Sequence, residues 1–190
     1  MIRRFAAALM LAGGLAACAT TPAPKLPDIM GRDDFSLSGR VLIRQADRAD
    51  VLRLSWQHFA DADHVQLETS LGQTVAEVQL DPQRAWAKLG DGRELERSDD
   101  VALAKELLGT PVPLRRFAGW VRGEAEQGAS GVQRDAEERL VAMRDADWQL
   151  SYTGYGELAG APARPAQIEA KSGDIVVRLR IEAWNGGGPQ

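Results

Sequence analysis

Alternation with a period of two recurs from Phe35 to Ala183, and it leaves few folds open. The clearest run places Ile175, Val177, Leu179, Ile181 and Ala183 at every second position, with Arg178, Arg180 and Glu182 between them. Phe35, Leu37, Gly39, Val41 and Ile43 repeat the pattern, as do Leu52, Leu54 and Trp56. Shorter runs follow at Val65 and Leu67, at Ala76, Val78 and Leu80, and at Trp148, Leu150 and Tyr152. Asp81-Pro82, Gly90-Asp91-Gly92 and Ser172-Gly173-Asp174 supply turn chemistry between runs. Strands this frequent, apolar on one face and polar on the other, predict a mainly β chain whose antiparallel sheet curls around an apolar interior.

Two helical stretches interrupt the strands. Ser98-Asp99-Asp100 offers an N-cap and acidic residues for the positive end of a helix dipole. Val101, Leu103, Ala104, Leu107 and Leu108 then form an apolar stripe, and Gly109 ends it. A second short helix is expected from Pro113, with Leu114, Phe117, Ala118 and Val121 on one side. Another is expected just before Phe35. Five tryptophans, Trp56, Trp86, Trp120, Trp148 and Trp184, give the interior its bulk. Patterning leaves two uses for them open, core packing and the lining of a ligand cavity.

The N-terminus reads as a targeting segment. Arg3 and Arg4 precede the apolar stretch Phe5 to Leu15, which is too short to span a bilayer as a helix. It ends in Leu15-Ala16-Ala17-Cys18, the form of a lipobox, so residues 1–17 are expected to be removed and Cys18 acylated. Cys18 is the only cysteine, which excludes disulfides and leaves no thiol for other chemistry. Ala19, rather than Asp, after the cysteine is compatible with the outer membrane. Three prolines between Ala19 and Pro27 make residues 18–27 an extended tether. Residues 28–185 then form one domain, and 186–190 a flexible tail. Two arginines and no acid precede Cys18, so cleavage takes the formal charge from −4 to −6. Such a chain is not drawn to anionic lipid or nucleic acid by its net charge, so membrane contact is expected from the anchor and from exposed apolar groups, and no nucleic acid is expected as a partner.

Signals for catalysis are poor. His58 and His64 form no metal-binding spacing, and no nucleophile elbow or phosphate-binding loop is present. No catalytic residue, metal or cofactor is expected. Phe59-Ala60-Asp61-Ala62-Asp63-His64 reads as a polar hairpin loop. Ser70-Leu71-Gly72-Gln73 has a different character. Gly72 suits a turn needing positive φ, which puts Leu71 at or beside a hairpin tip, where apolar side chains are normally avoided. It either folds back into the core or protrudes toward a bilayer.

With these residues in view the chain resembles the LolB family of outer-membrane lipoproteins. The resemblance rests on F-S-L-S-G-R-V (35–41), R-L-S-W-Q (53–57), T-S-L-G-Q-T-V-A-E-V-Q-L (69–80) and L-L-G-T-P-V-P-L (107–114). It continues through W-V-R-G (120–123), W-Q-L-S-Y (148–152), Y-G (155–156), R-P-A-Q-I-E (164–169) and R-L-R-I-E-A-W (178–184). It implies an unclosed antiparallel β-barrel, with short helices lying over an apolar cavity that takes acyl chains. It implies a periplasmic carrier resembling LolA that brings client lipoproteins, and delivery of those clients into outer-membrane lipid. It also implies that the leucine of the S-L-G hairpin, here Leu71 between Ser70 and Gly72, is exposed and needed for delivery. The family motif often has Pro where this chain has Ser70, which predicts a looser turn. A monomer anchored through Cys18 on the periplasmic face is expected.

Strand alternation, rather than the resemblance, supplies the expected cavity lining: Leu52, Leu54, Trp56, Val65, Leu67, Val78, Trp148, Leu150, Val177 and Leu179. Leu103, Leu107, Leu114 and Phe117 are expected on the helices of the lid. The alternative is a lipid-anchored binder of small hydrophobic ligands without client proteins, which predicts a closed barrel.

Overall fold

The computed structural model describes residues 33–125 and 127–186. The leader, Cys18, the tether, the helix expected before Phe35 and most of the tail lie outside them.

Eleven strands form a single antiparallel sheet. The first six run in chain order: β1 (Phe35–Gln45), β2 (Arg48–Phe59), β3 (Ala62–Glu68), β4 (Thr74–Leu80), β5 (Ala85–Leu89) and β6 (Glu94–Arg97). Two helices follow, α1 (Asp100–Leu108) and α2 (Leu114–Arg122). The chain then returns through β7 (Ser130–Arg134), β8 (Leu140–Asp145), β9 (Trp148–Thr153), β10 (Gln167–Ser172) and β11 (Ile175–Gly186). The spatial order is β6-β5-β4-β3-β2-β1-β11-β10-β9-β8-β7. The first and last strands therefore pair at the centre, and β6 and β7 are left as edges. The barrel is unclosed, and α1 and α2 connect its two free edges.

β1 pairs along its whole length with both neighbours. β1 meets β11 from Phe35 opposite Gly186 to Gln45 opposite Ile175. β11 thus includes Gly186, the first residue expected in the tail. The register shifts beside Gly39, where a Cβ would stand 2.1 Å from the carbonyl oxygen of Arg180. Only glycine permits that approach. Phe35 lies level with His58 of β2, whereas the β3–β4 hairpin tip lies beyond Glu68, which faces Arg53. The chain enters and leaves the sheet at one end, and Leu71 sits at the other, roughly 20 Å away along the strands.

The apolar residues of the alternation point inward. Leu37, Val41, Ile43, Leu54, Trp56, Leu67, Leu150, Val177, Leu179 and Ile181 are all buried in one cluster. A second cluster joins Ala76, Val78, Leu80, Ala85 and Ala87 to Leu103 of α1. The alanines of β4 and β5 let that helix sit close against the sheet. Asp99 caps α1, accepting from the amides of Val101 and Ala102, and Gly109 ends it at φ 74°.

The stretch from Phe59 to His64 differs from the expected loop. β2 continues to Phe59 and β3 starts at Ala62, so the turn is only Ala60-Asp61. Asp63 is buried. It accepts from Trp56 Nε1 at 2.8 Å and bonds His58 Nδ1 at 2.7 Å. Those partners make a carboxylate tolerable inside a strand, where its polarity alone argued for a loop.

Candidate functional site

Beneath the helices lies an apolar cavity of about 80 Å³. The sheet contributes Val41, Ile43, Leu54, Trp56, Val65, Leu67, Val78, Leu80, Val177 and Leu179. The helices and their connection contribute Leu107, Leu108, Val112, Leu114 and Phe117. No charged side chain is among them.

Seven of the ten expected sheet positions line this space: Leu54, Trp56, Val65, Leu67, Val78, Val177 and Leu179. Trp148 and Leu150 are buried beside it, under α2. There Trp120, fully buried, stands 5.8 Å from Trp148 between ring centroids and fills that part of the trough. Leu52 is half-buried and packs against the main cluster. Of the expected lid residues, Leu107, Leu114 and Phe117 face the cavity, whereas Leu103 turns to the alanines of β4 and β5. Sequence reasoning did not assign Val41, Ile43, Leu80, Leu108 or Val112 to the lining. The first three carried the same alternation, and Leu108 belonged to the helix stripe. Val112 lies between two prolines in the connection and carried no periodic signal.

The two helices are held differently. α2 is tied to both halves of the sheet. Arg115 donates through Nη2 to the carbonyls of Asp81 (2.5 Å) and Arg84 (2.8 Å), at the β4–β5 turn. On the other side Asp145 of β8 accepts from Trp120 Nε1 at 2.8 Å and pairs with Arg116. Burying Phe117 and Trp120 adds about 2–3 kcal/mol each. α1 has fewer polar ties: Asp100 accepts from the Arg115 amide at 2.9 Å, and Arg97 pairs with the exposed Glu106. Beyond Gly109, Thr110 donates to Gln45 Oε1 at 3.0 Å and fastens the connection to β1.

The β3–β4 hairpin holds its tip in solvent. The Gly72 amide donates to the Thr69 carbonyl at 3.0 Å, and Gly72 has φ 80°. Thr69 N donates to Gln73 O at 2.9 Å, and Gln73 N donates to Thr69 Oγ1 at 3.2 Å. This is a three-residue loop with a left-handed final residue. The Thr69 hydroxyl supplies rigidity that Ser70 in place of proline does not. Ser70 and Gly72 are exposed, and Leu71 is 86% exposed.

Comparison with known proteins places the sequence in a family. The sequence model of the family described as outer membrane lipoprotein LolB matches residues 33–184. The chain is 31% identical to the outer-membrane lipoprotein LolB of Azoarcus sp. (strain BH72) over 186 residues, covering 96% of each chain. It is 32% identical to that of Dechloromonas aromatica (strain RCB) over 176 residues, covering 90% of this chain and 91% of that protein. The protein of the same description from Chromobacterium violaceum is 28% identical over 193 residues. The chain belongs to the family of outer-membrane lipoproteins LolB.

Proposed function

We propose that this protein accepts acylated lipoproteins from a soluble periplasmic carrier and inserts them into the outer membrane, to which Cys18 anchors it. The observation that carries this reading is the wholly apolar cavity under helices that lie between two free sheet edges. Apolar walls shelter an acyl chain without hydrogen bonds that would hinder release. Exposing such a chain to water costs roughly 25 cal/mol per Å² of apolar surface, so transfer runs from cavity to cavity. The binder alternative calls for a closed barrel, and this sheet has edges at β6 and β7.

At about 80 Å³ the cavity is smaller than an engineered cavity of roughly 150 Å³ that holds benzene. The form described here is therefore the closed one, and accepting a chain requires the lid to move. α2 is pinned on both sides through Arg115 and Asp145, so the moving part is α1 with residues 109–113, which must release Leu103 from the alanines of β4 and β5 and Thr110 from Gln45. Their displacement takes Leu107, Leu108 and Val112 out of the cavity mouth. Leu71 then supplies the contact with the bilayer that precedes release.

The test is transfer of a labelled client from its carrier to vesicles holding the lipidated protein. The Leu71→Glu variant should acquire the client and retain it, with delivery to the bilayer at least tenfold slower. If the folded parent takes no client from the carrier, the reading fails.

A further inference from the structure

Arginines cluster on the outer face of the sheet, opposite the cavity. Arg40 lies directly between Arg53 of β2 and Arg180 of β11 in the strand register. Like charges facing each other across strands destabilise a sheet. Arg40 is relieved by Glu182 at 3.1 Å. Arg53 faces Glu68 of β3 in the register, but among the described residues neither the Arg53 nor the Arg180 side chain makes an ion pair or a hydrogen bond. The chain is acidic overall, so this file does not reflect a general excess of basic residues.

Exposed apolar side chains accompany the file. The large exposed hydrophobic residues among those described are Val51, Phe59, Leu71 and Val132. Val51 (59% exposed) and Phe59 (46%) share the parity of Arg53 on β2, one toward each end of the strand. Leu71 projects from the neighbouring hairpin. The outer side of β2 thus carries apolar groups on both sides of a basic centre, the composition of a surface that rests at a membrane interface.

The chain before β1 is long enough to permit an orientation in which the sheet lies on its side. The described chain begins beside Phe35, at the end of the sheet away from Leu71. Lying on one side brings both ends to the surface at once.

We propose that the outer face of β1, β2 and β11 is a membrane-docking surface that lies on the phosphate layer of the bilayer. Arg53 and Arg180 meet lipid phosphates, and Val51 and Phe59 enter the head-group region on either side. The guanidinium fork suits phosphate oxygens, and the phosphates relieve the repulsion along the file. The proposal rests on the reading that Leu71 reaches a bilayer.

Because Cys18 is consumed by lipid, one introduced cysteine can carry a spin label. Ser55→Cys places it on the exposed outer face of β2, and Lys88→Cys places a control on β5. Full-length lipidated protein is reconstituted in vesicles of phosphatidylcholine with phosphatidylglycerol, and collision with a water-soluble relaxant is measured. The Ser55 position should be shielded and the Lys88 position open. Arg53→Glu with Arg180→Glu should abolish the shielding; these changes give Arg40 two acidic neighbours but set an acid opposite Glu68, so Arg53→Gln with Arg180→Gln is run beside them, should weaken the shielding too, and circular dichroism checks the fold. Equal access at both positions, or shielding that survives the charge reversal, overturns the proposal. Shielding that grows with protein concentration in detergent alone assigns the face to a second copy and overturns it too. The transfer assay separates the two readings: delivery that depends on Leu71 while the Ser55 position stays open leaves the insertion function intact and removes only the docking surface.

Discussion

Asp145 is only 2% exposed, yet it carries a carboxylate. It is tolerated because Trp120 Nε1 and Arg116 both donate to it, which makes one side chain the joint between α2 and β8. Asp145→Ala would leave a buried indole N–H without an acceptor, at about 1–3 kcal/mol. Urea unfolding should show that loss, and Trp120→Phe in the same chain should make the two effects less than additive. Tyr155 is the second residue with a measurable signature. Burial, helped by nearby Asp135, pushes its phenol up to about 12 from an ordinary value of 10.0. Its hydroxyl donates to the Leu140 carbonyl at 2.7 Å. The folded state therefore holds the proton more tightly than the unfolded chain. The resulting stability is complete below pH 10 and is lost as pH rises toward about 12. A Tyr155→Phe chain should show a flatter stability profile across that range. The opposite sign applies to Glu169. Partial burial raises its pKa, but hydrogen bonds from Lys171 and Arg178 outweigh this and hold it below 4.5. Its contribution is present above the unfolded value and fades in acid.

Three hairpins turn on alanine where glycine or asparagine is more usual. Ala46, Ala60 and Ala146 have φ of 50°, 56° and 49°, and each is followed by aspartate. An alanine in this region is strained by roughly 1–2 kcal/mol. Ala60→Gly relieves the strain but loosens the unfolded chain, so a net gain of about 0.5–1 kcal/mol is expected in thermal or urea unfolding. These turns also explain part of what the sequence left unread. Ala-Asp carries no turn signal, and the buried polarity of Asp63 looked like a loop. The strong runs at β1, β2, β3, β4, β9 and β11 were legible because large apolar groups alternate there. β5 was not, because Ala85 and Ala87 face inward with little hydrophobic contrast. β7 is exposed at every position and has no inner face to mark it. In β8 Leu140 and Met143 are buried three residues apart, which breaks the period of two. β10 has only Ile168 and Ala170 buried among polar neighbours. α1 was legible from its cap and stripe, and α2 from the proline before it and its apolar side. That Trp148 and Leu150 fall outside the cavity depends on how Trp120 fills the trough, a tertiary fact that periodicity does not contain.

At the scale of the molecule, an empty space has been kept where packing would have been more stable. Leu107→Phe should fill part of the 80 Å³ cavity, raise stability by about 1 kcal/mol and slow client transfer. A change that raised both stability and transfer would contradict a role for the cavity in accepting chains. The seam between β1 and β11 has a consequence in time rather than in space. The sheet is completed by its last strand pairing with its first, across almost the whole described sequence. β1 to β6 can form successive local hairpins as a meander, and β8 to β11 can do the same. Neither half has its full apolar face covered until residues 175–186 arrive. Assembly therefore waits on the twelve residues of β11. Loss of that strand should leave two sticky half-sheets that aggregate, whereas loss of an edge strand such as β7 should be far milder. A chain wired this way benefits from crossing a membrane before it folds, because its closing step is unavailable until the C-terminal strand has emerged.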